Sequence, residues 1–142
     1  MFRLRNIVSS LALLVLTVAQ SLQAQTTYYS RQTGNWSSNT TWSTVGFGGA
    51  AAATAPSATD NVQIRSDHTV TLDFASATSA SLTIVGAAST GGLLLNGNSL
   101  NVTGSVIINN PTSNNNNADV DVGSGTLTVD GTLTLNGASN NN

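Results

Sequence analysis

The last third of this chain alternates apolar and polar residues, and the alternation recurs along the sequence. At an offset of 27 residues, the stretch 122–136 aligns with the stretch 95–109. Apolar residues at every second position indicate β-strands that bury one face. The aligned apolar pairs are Leu100 with Leu127, Val102 with Val129, Val106 with Leu133 and Ile108 with Leu135.

A shorter copy of the same pattern precedes these two. The stretch 81–86 aligns with 99–104 at an offset of 18, and the polar stretch 110–119 is typical of a loop. Internal repeats of this length are typical of a solenoid, in which each coil buries its apolar face against its neighbours. Loops of different length between constant core strands would explain the unequal offsets.

Two all-β arrangements compete for this pattern, a solenoid and a set of hairpins. A two-residue turn at Asp130–Gly131 would pair Val129 with Thr132 and mix apolar and polar side chains on one face. A three-residue loop keeps the faces consistent, but its glycine is expected last rather than central. We therefore predict a right-handed parallel β-helix, or β-solenoid, with a β-sandwich or meander as the alternative.

The beginning of the chain has the layout of a secretory signal peptide. Arg3 and Arg5 give a positive start, an apolar run spans 7–19, and Ala24 offers a small residue before a cut at Gln25. The apolar run is about 13 residues, short of the roughly 20 that a membrane-spanning helix needs. We predict a signal peptide helix over 1–24, a secreted chain and no membrane association after cleavage.

The rest of the chain falls into two unlike parts. All aromatic residues after the signal lie between 28 and 74, and the Gly/Ala-rich stretch 46–56 is typical of a loop. We predict an aromatic N-terminal cap and loop over 25–55 and solenoid coils over 56–142. Residues 140–142 fall on the Asn-rich loop at the offset of 27, so we expect the coils to be truncated.

Composition excludes several classes of site. Only 7% of residues are charged, with four arginines, six aspartates, one histidine and no cysteine. A chain without cysteine has no disulfide framework, no Cys-ligated zinc and no thiol nucleophile. Without residues 1–24, two arginines stand against six aspartates, a formal charge of −4. Because phosphate binding needs clustered positive charge, we predict no nucleic-acid partner, and no cofactor is predicted.

Several short motifs follow one another in a recognisable order. They are GNW at 34–36, TWS at 41–43, Pro56, DNVQI at 60–64, HTVTLD at 68–73 and SLTI at 81–84. The order resembles the start of large secreted β-helix surface proteins of Bacteroidetes-type bacteria and is similar to the G8 domain. The resemblance covers about residues 33–109. It implies an extracellular β-solenoid with an adhesive or glycan-related role, and it brings no catalytic residue with it.

Catalytic chemistry has few candidates in this chain. As a general base, His68 needs an oriented partner, and in a strand the adjacent Asp67 would point to the opposite face. We therefore predict that His68 is a turn or outward residue. Asp60, Asp67 and Asp73 would form a hydrolase pair only at a carboxylate separation of about 6.5–9.5 Å. Because Arg65 is the one basic residue nearby, we predict no catalytic site.

Two further sets of residues are candidates for binding. Asp119, Asp121 and Asp130 supply oxygens of the kind that calcium prefers, but six to eight ligands are needed, so we predict solvated surface aspartates and no metal site. Trp36 and Trp42 are candidates for glycan contact, because an aromatic face offers an apolar platform to a sugar ring. Packing inside the cap is the alternative for both tryptophans.

The sequence therefore predicts an exported, non-enzymatic β-solenoid segment of a cell-surface adhesin or extracellular structural protein. Its expected partners are cell-surface glycans or other surface proteins, with attachment through a missing C-terminal region. One alternative is the N-terminal module of a secreted polysaccharide-acting hydrolase or lyase. Another is a filament subunit that self-associates end to end.

Overall fold

The computed structural model describes residues 24–113 and 116–137 of the chain. Within these ranges lie short β-strands, one turn of 3-10 helix at Asn39–Thr41 and no α-helix. The predicted signal peptide up to residue 23, and residues 140–142, lie outside the described residues. The strands are β1 (Thr27–Ser30), β2 (Gly34–Asn35), β3 (Trp42–Ser43), β4 (Asn61–Arg65), β5 (Thr69–Thr71), β6 (Ser76–Ser79), β7 (Ser81–Val85), β8 (Gly91–Leu94), β9 (Ser99–Val102), β10 (Val106–Ile108), β11 (Ala118–Asp121), β12 (Thr126–Val129) and β13 (Leu133–Leu135).

The strands form three sheets whose members are separated along the chain. The first sheet has the order β13-β10-β7-β4-β1-β3, the second β11-β8-β5-β2 and the third β12-β9-β6. Every pairing is parallel except that of β1 with β3. In the described ranges no two consecutive strands pair with each other, so the hairpin alternative is wrong. The all-β prediction is confirmed, and the parallel sheets are compatible with a β-helix-like fold.

The register agrees with one of the two sequence alignments and contradicts the other. Leu100 pairs with Leu127, as the offset of 27 predicts. The offset of 18 is wrong, because Leu82 pairs with Val106 of the first sheet, whereas Leu100 lies beside Ala77 of the third. Several strands carry a similar apolar–polar–apolar triplet, as in Leu82–Ile84 and Leu100–Val102, so the alignment matched strands of different sheets.

One hydrophobic core runs between the sheets. Alternation supplies it, because Val62 and Ile64 of β4 are inaccessible while Gln63 between them faces outward. Burying a Val, Leu or Ile side chain completely contributes roughly 1.5–3 kcal/mol. Burial falls along β13, where Leu133 is 51% and Leu135 is 67% exposed. The inward side chains of neighbouring strands therefore hold the sheets together.

Glycines form the sharp bends between the third and first sheets. Gly104 lies between β9 and β10, and Gly131 occupies the equivalent place between β12 and β13. The Gly131 N–H donates to the Gly104 carbonyl at 3.1 Å, and a Cβ on Gly131 would meet that same carbonyl oxygen. The central glycine of each bend is thus explained by close approach of stacked backbones and not by a hairpin turn.

Candidate functional site

The two tryptophans proposed for glycan contact lie inside the core. Trp36 is 1% and Trp42 0% exposed, and their rings meet edge to face with centroids 5.3 Å apart. The Trp42 Nε1–H donates to the Trp36 carbonyl at 2.7 Å, which satisfies the one polar group of that ring. Neither ring presents a face to solvent, so neither is placed to stack on a sugar. Their packing agrees with the cap interpretation.

His68 contacts two residues that resemble partners in a catalytic triad. Its Nδ1 lies 2.9 Å from the Ser30 hydroxyl, and its Nε2 lies 3.7 Å from an Asp67 carboxylate oxygen. Asp67 and His68 occupy the turn between β4 and β5 rather than a strand, which confirms the prediction of a turn for His68 and lets both side chains lie on one side. Burial lowers the pKa of His68, and the nearby Asp67 charge opposes that shift.

The environment of Ser30 makes this arrangement structural. Ser30 has no exposed surface, and its Oγ accepts the Arg65 backbone N–H at 2.9 Å. A nucleophile must reach the substrate, and this oxygen is enclosed. The hydroxyl instead joins β1 to β4 and to the turn that precedes β5.

Asp60 and Asp73 each hold a different loop. Asp60 accepts the Ser57 N–H at 2.8 Å and the Ser57 hydroxyl at 2.6 Å, which closes the turn before β4. Asp73 accepts the Ser37 N–H at 3.0 Å and its hydroxyl at 2.5 Å, which ties the segment after β5 to the segment after β2. Asp67 is paired with Arg65. Each of the three carboxylates thus has its own hydrogen-bond partners.

Two of the later aspartates, Asp119 and Asp121, border a shallow groove on the second sheet. Asp119 and Asp121 are outward residues of β11, whereas Asp130 follows β12 of the third sheet. Burial and then the nearby Asp121 charge raise the pKa of Asp119. Across 24–113 and 116–137, no three acidic or histidine residues are grouped as a metal site would require. The groove has a volume of about 230 Å³ and is lined by Thr69, Thr90, Gly92, Leu94, Asp119 and Asp121.

A cluster on the outer face of the first sheet was not expected from the sequence. We call Tyr29, Phe47 and Arg65 the aromatic patch. The rings of Tyr29 and Phe47 meet edge to face, with centroids 5.3 Å apart and planes at 81°. The Arg65 guanidinium carbon lies 5.5 Å from the centre of the Phe47 ring, within cation–π range. All three side chains are partly exposed.

Two elements bring the aromatic patch together. Alternation in β1 turns Tyr29 outward, where it lies beside Gln63 of β4. Phe47 comes from the Gly-rich loop after β3. Arg31 anchors that loop, because its Nε–H donates to the Gly49 carbonyl at 3.0 Å. The loop therefore holds Phe47 against Tyr29 by a specific side-chain contact.

Arg65 of the aromatic patch forms an ion pair with Asp67, which lies beside the patch. The Arg65 Nε–H donates to the Asp67 carboxylate at 2.7 Å, and this hydrogen bond holds the pKa of Asp67 below its usual value. Both side chains are partly exposed, so the pair contributes little stability. Its main effect is local charge balance beside the two rings.

The aromatic patch was not predicted from the sequence, in which the tryptophans are the largest aromatic residues and were the candidates for glycan contact. The available signal was a single phenylalanine within a glycine-rich loop, whereas the adjacent tyrosines at 28 and 29 do not show which of them faces outward. Pairing of β1 with β4 over a separation of 34 residues, as in Tyr29 with Gln63, could not be predicted from local pattern.

Comparison with protein-family models, curated proteins and solved structures finds no match for this chain. The resemblance to the G8 domain therefore remains a prediction. Along the described residues no helix is long and apolar enough to cross a membrane.

Proposed function

We propose that this chain is a right-handed parallel β-solenoid, exported as a non-enzymatic segment of a cell-surface adhesin or extracellular structural protein. The observation that carries the proposal is the stacking pattern, in which every described strand except β3 pairs with a strand three places away along the chain. Parallel sheets around one aliphatic interior support a coil that advances by one layer with every three strands.

The outer faces support a role in surface contact. Asn61 and Ser81 of adjacent strands share a hydrogen bond of 2.6 Å, and Asn109 and Asn136 share one of 2.7 Å. Hydroxyl and amide groups both donate and accept hydrogen bonds, as do the hydroxyls of glycans. A stack of such uncharged rows favours repeated weak contacts with a glycan or another surface protein.

Cross-linking of introduced cysteines tests the solenoid. The chain has no cysteine of its own, so an introduced pair reacts without background. Thr83→Cys with Ile107→Cys places two thiols on paired residues of the first sheet. We expect efficient reaction with a short thiol cross-linker, whereas the control of Thr83→Cys with Asn101→Cys joins different sheets and reacts poorly. Equal reaction of both pairs would contradict the stacking.

Export is tested with the leader itself. Residues 1–24 are fused to a phosphatase reporter that becomes active only outside the cytoplasm, and the mature N-terminus of the full chain is determined by mass spectrometry. We expect reporter activity and a mature chain that begins at Gln25. An inactive reporter, or a full chain that keeps its first 24 residues in the cytoplasm, would contradict export.

A second candidate is end-to-end self-association. Leu133 and Leu135 of β13 are the most exposed leucines of the described core strands, and β13 pairs on one side only within these residues. An apolar strand with an open edge favours pairing with another chain. Sedimentation velocity over a range of concentrations tests this, and a monomer at every concentration would contradict it.

A further inference from the structure

We infer that the aromatic patch of Tyr29, Phe47 and Arg65, with Gln63 beside it, is a binding site for a neutral polysaccharide. The inference rests on the proposed function and names the ligand class and its place on the molecule. It concerns the outer face of the first sheet, whereas both tryptophans are buried in the core.

The aromatic patch supplies the apolar part of such a site. Tyr29 heads an outward row of the first sheet that continues through Gln63, Thr83 and Ile107. An aromatic ring at an outward position contributes little to the core, and Phe47 extends it at an angle of 81°. Two rings at nearly a right angle offer adjoining apolar surfaces to the C–H faces of sugar rings.

Polar groups beside the rings match the hydroxyls of a sugar. Gln63 is the direct strand partner of Tyr29, and its amide both donates and accepts hydrogen bonds. Asn61, two residues earlier, faces outward on the same strand. The phenol of Tyr29 adds another donor and acceptor. Apolar rings bordered by amides suit a ligand with both C–H faces and hydroxyl groups.

Charge decides between neutral and acidic polysaccharides. The positive charge of Arg65 is already balanced by Asp67 at 2.7 Å. A carboxylated sugar would have to displace Asp67 from Arg65 and approach it at close range, and the chain as a whole is acidic. A neutral polymer neither has to displace Asp67 nor is repelled by the acidic chain, so the geometry favours uncharged sugars.

The loop that carries Phe47 is organised before any ligand arrives. The Arg31 side chain donates to the Gly49 carbonyl at 3.0 Å and to the Thr40 carbonyl at 3.2 Å. The Gly49 N–H also closes a turn on the Gly46 carbonyl at 3.0 Å. A preformed site pays less ordering entropy on binding, which matters for weak contacts.

Affinity electrophoresis of the full chain tests the inference. Native gels contain laminarin, dextran or soluble starch as neutral probes, or polygalacturonate as the acidic probe. We expect at least one neutral polymer to retard the chain and polygalacturonate to retard it less. Phe47→Ala and Tyr29→Ala should each weaken retention by about tenfold, in line with the loss of one aromatic contact.

Phe74→Ala is the matched control. Phe74 is an aromatic residue that is 40% exposed, and it lies in the segment that connects β5 of the second sheet to β6 of the third, outside the aromatic patch. It should leave retention unchanged, and circular dichroism should show all three variants folded. Retention that survives Phe47→Ala and Tyr29→Ala overturns the inference but leaves glycan contact by the outer faces standing. Loss with Phe74→Ala alone, stronger retention by polygalacturonate, or no retention of the parent chain also overturns it. The cross-linking result bears on the solenoid independently of all these outcomes.

Discussion

The hydroxyl of Ser30 lies 2.9 Å from Nδ1 of His68, although 38 residues separate them along the chain. The same hydroxyl accepts the Arg65 N–H, so one buried side chain joins the first strand to a later turn. A hydroxyl has one proton and two lone pairs, so beside the Arg65 N–H the Ser30 hydroxyl has both a proton and a second lone pair for Nδ1. Which of the two atoms donates depends on the tautomer of His68.

Stability should fall in mild acid because burial disfavours the charged form of His68 and lowers its pKa. Burial lowers the folded pKa of His68 below the unfolded value of 6.5. A lowered histidine pKa means that the stabilisation is fully present above about pH 6.5. It declines as the pH falls from there and is lost once the pH passes below the folded pKa. Urea unfolding at pH 8 and pH 5 measures the change, and His68→Gln should reduce the difference. An equal pH dependence in His68→Gln would contradict this role.

Ser30→Ala should destabilise the chain at neutral pH. The substitution leaves the buried Arg65 N–H without its acceptor and removes the partner of His68. Leaving one buried polar group unsatisfied costs about 1–3 kcal/mol. Urea unfolding measures the loss, with Ser57→Ala as a control because the Asp60 carboxylate keeps the Ser57 and Thr26 N–H groups as donors. Equal losses in the two variants would contradict a special role for Ser30.

Trp42→Ala should lower the free energy of unfolding by about 3–5 kcal/mol, as expected for removal of a buried aromatic side chain. The ring is fully buried and carries the hydrogen bond to Trp36. Phe74→Ala removes a 40% exposed ring and should change stability by less than about 1 kcal/mol. Denaturant titration followed by circular dichroism measures both. Similar losses would show that the tryptophan is not a core residue.

Position in the stack should decide the cost of removing a leucine. Leu82 and Leu133 lie in the same row of the first sheet, each paired with Val106. Leu82→Ala should cost about 2–5 kcal/mol because Leu82 is inaccessible, whereas Leu133→Ala should cost less than about 1 kcal/mol because half of that side chain is exposed. Denaturant titration of the two variants is the measurement. A larger loss for Leu133→Ala would contradict the burial gradient.

Gly86→Ala should be strongly destabilising, by more than about 2 kcal/mol. A Cβ at Gly86 would collide with the backbone carbonyl of Asn110, which belongs to the next layer. Gly48→Ala is the control, since a Cβ at Gly48 has open space around it. Thermal unfolding of both variants measures the difference. A stable Gly86→Ala protein would mean that the layers are not packed as described.

Strand positions were largely predictable because period-two alternation is a local property. The pairs of Leu100 with Leu127 and Val106 with Leu133 follow from the sequence, since both strands of each pair belong to stretches that share one apolar–polar pattern. The pairing of Leu82 did not follow, because several strands carry the same apolar triplet. Long-range energetics, and not local pattern, selects among them.

The candidate site was less accessible to prediction. The tryptophans carry a sequence signal for aromatic function, yet burial assigns them to packing. Tyr29 and Phe47 meet through a loop closure and a strand pairing that local pattern does not specify. The contact of His68 with Ser30 likewise depends on which strands become neighbours.

Layers of unequal length share one interior in this molecule. In the first sheet, the paired residues Asn61 and Ser81 are 20 positions apart along the chain. The paired residues Val106 and Leu133 are 27 positions apart, which is seven more. The additional residues lie in the bends between strands, as in the polar segment after β10. The buried rows keep the same strand pairing. Such a molecule is a natural carrier for grafted sequences: a foreign epitope of several residues inserted between the exposed residues Thr112 and Ser113 would be displayed to solvent while the scaffold beneath kept its shape.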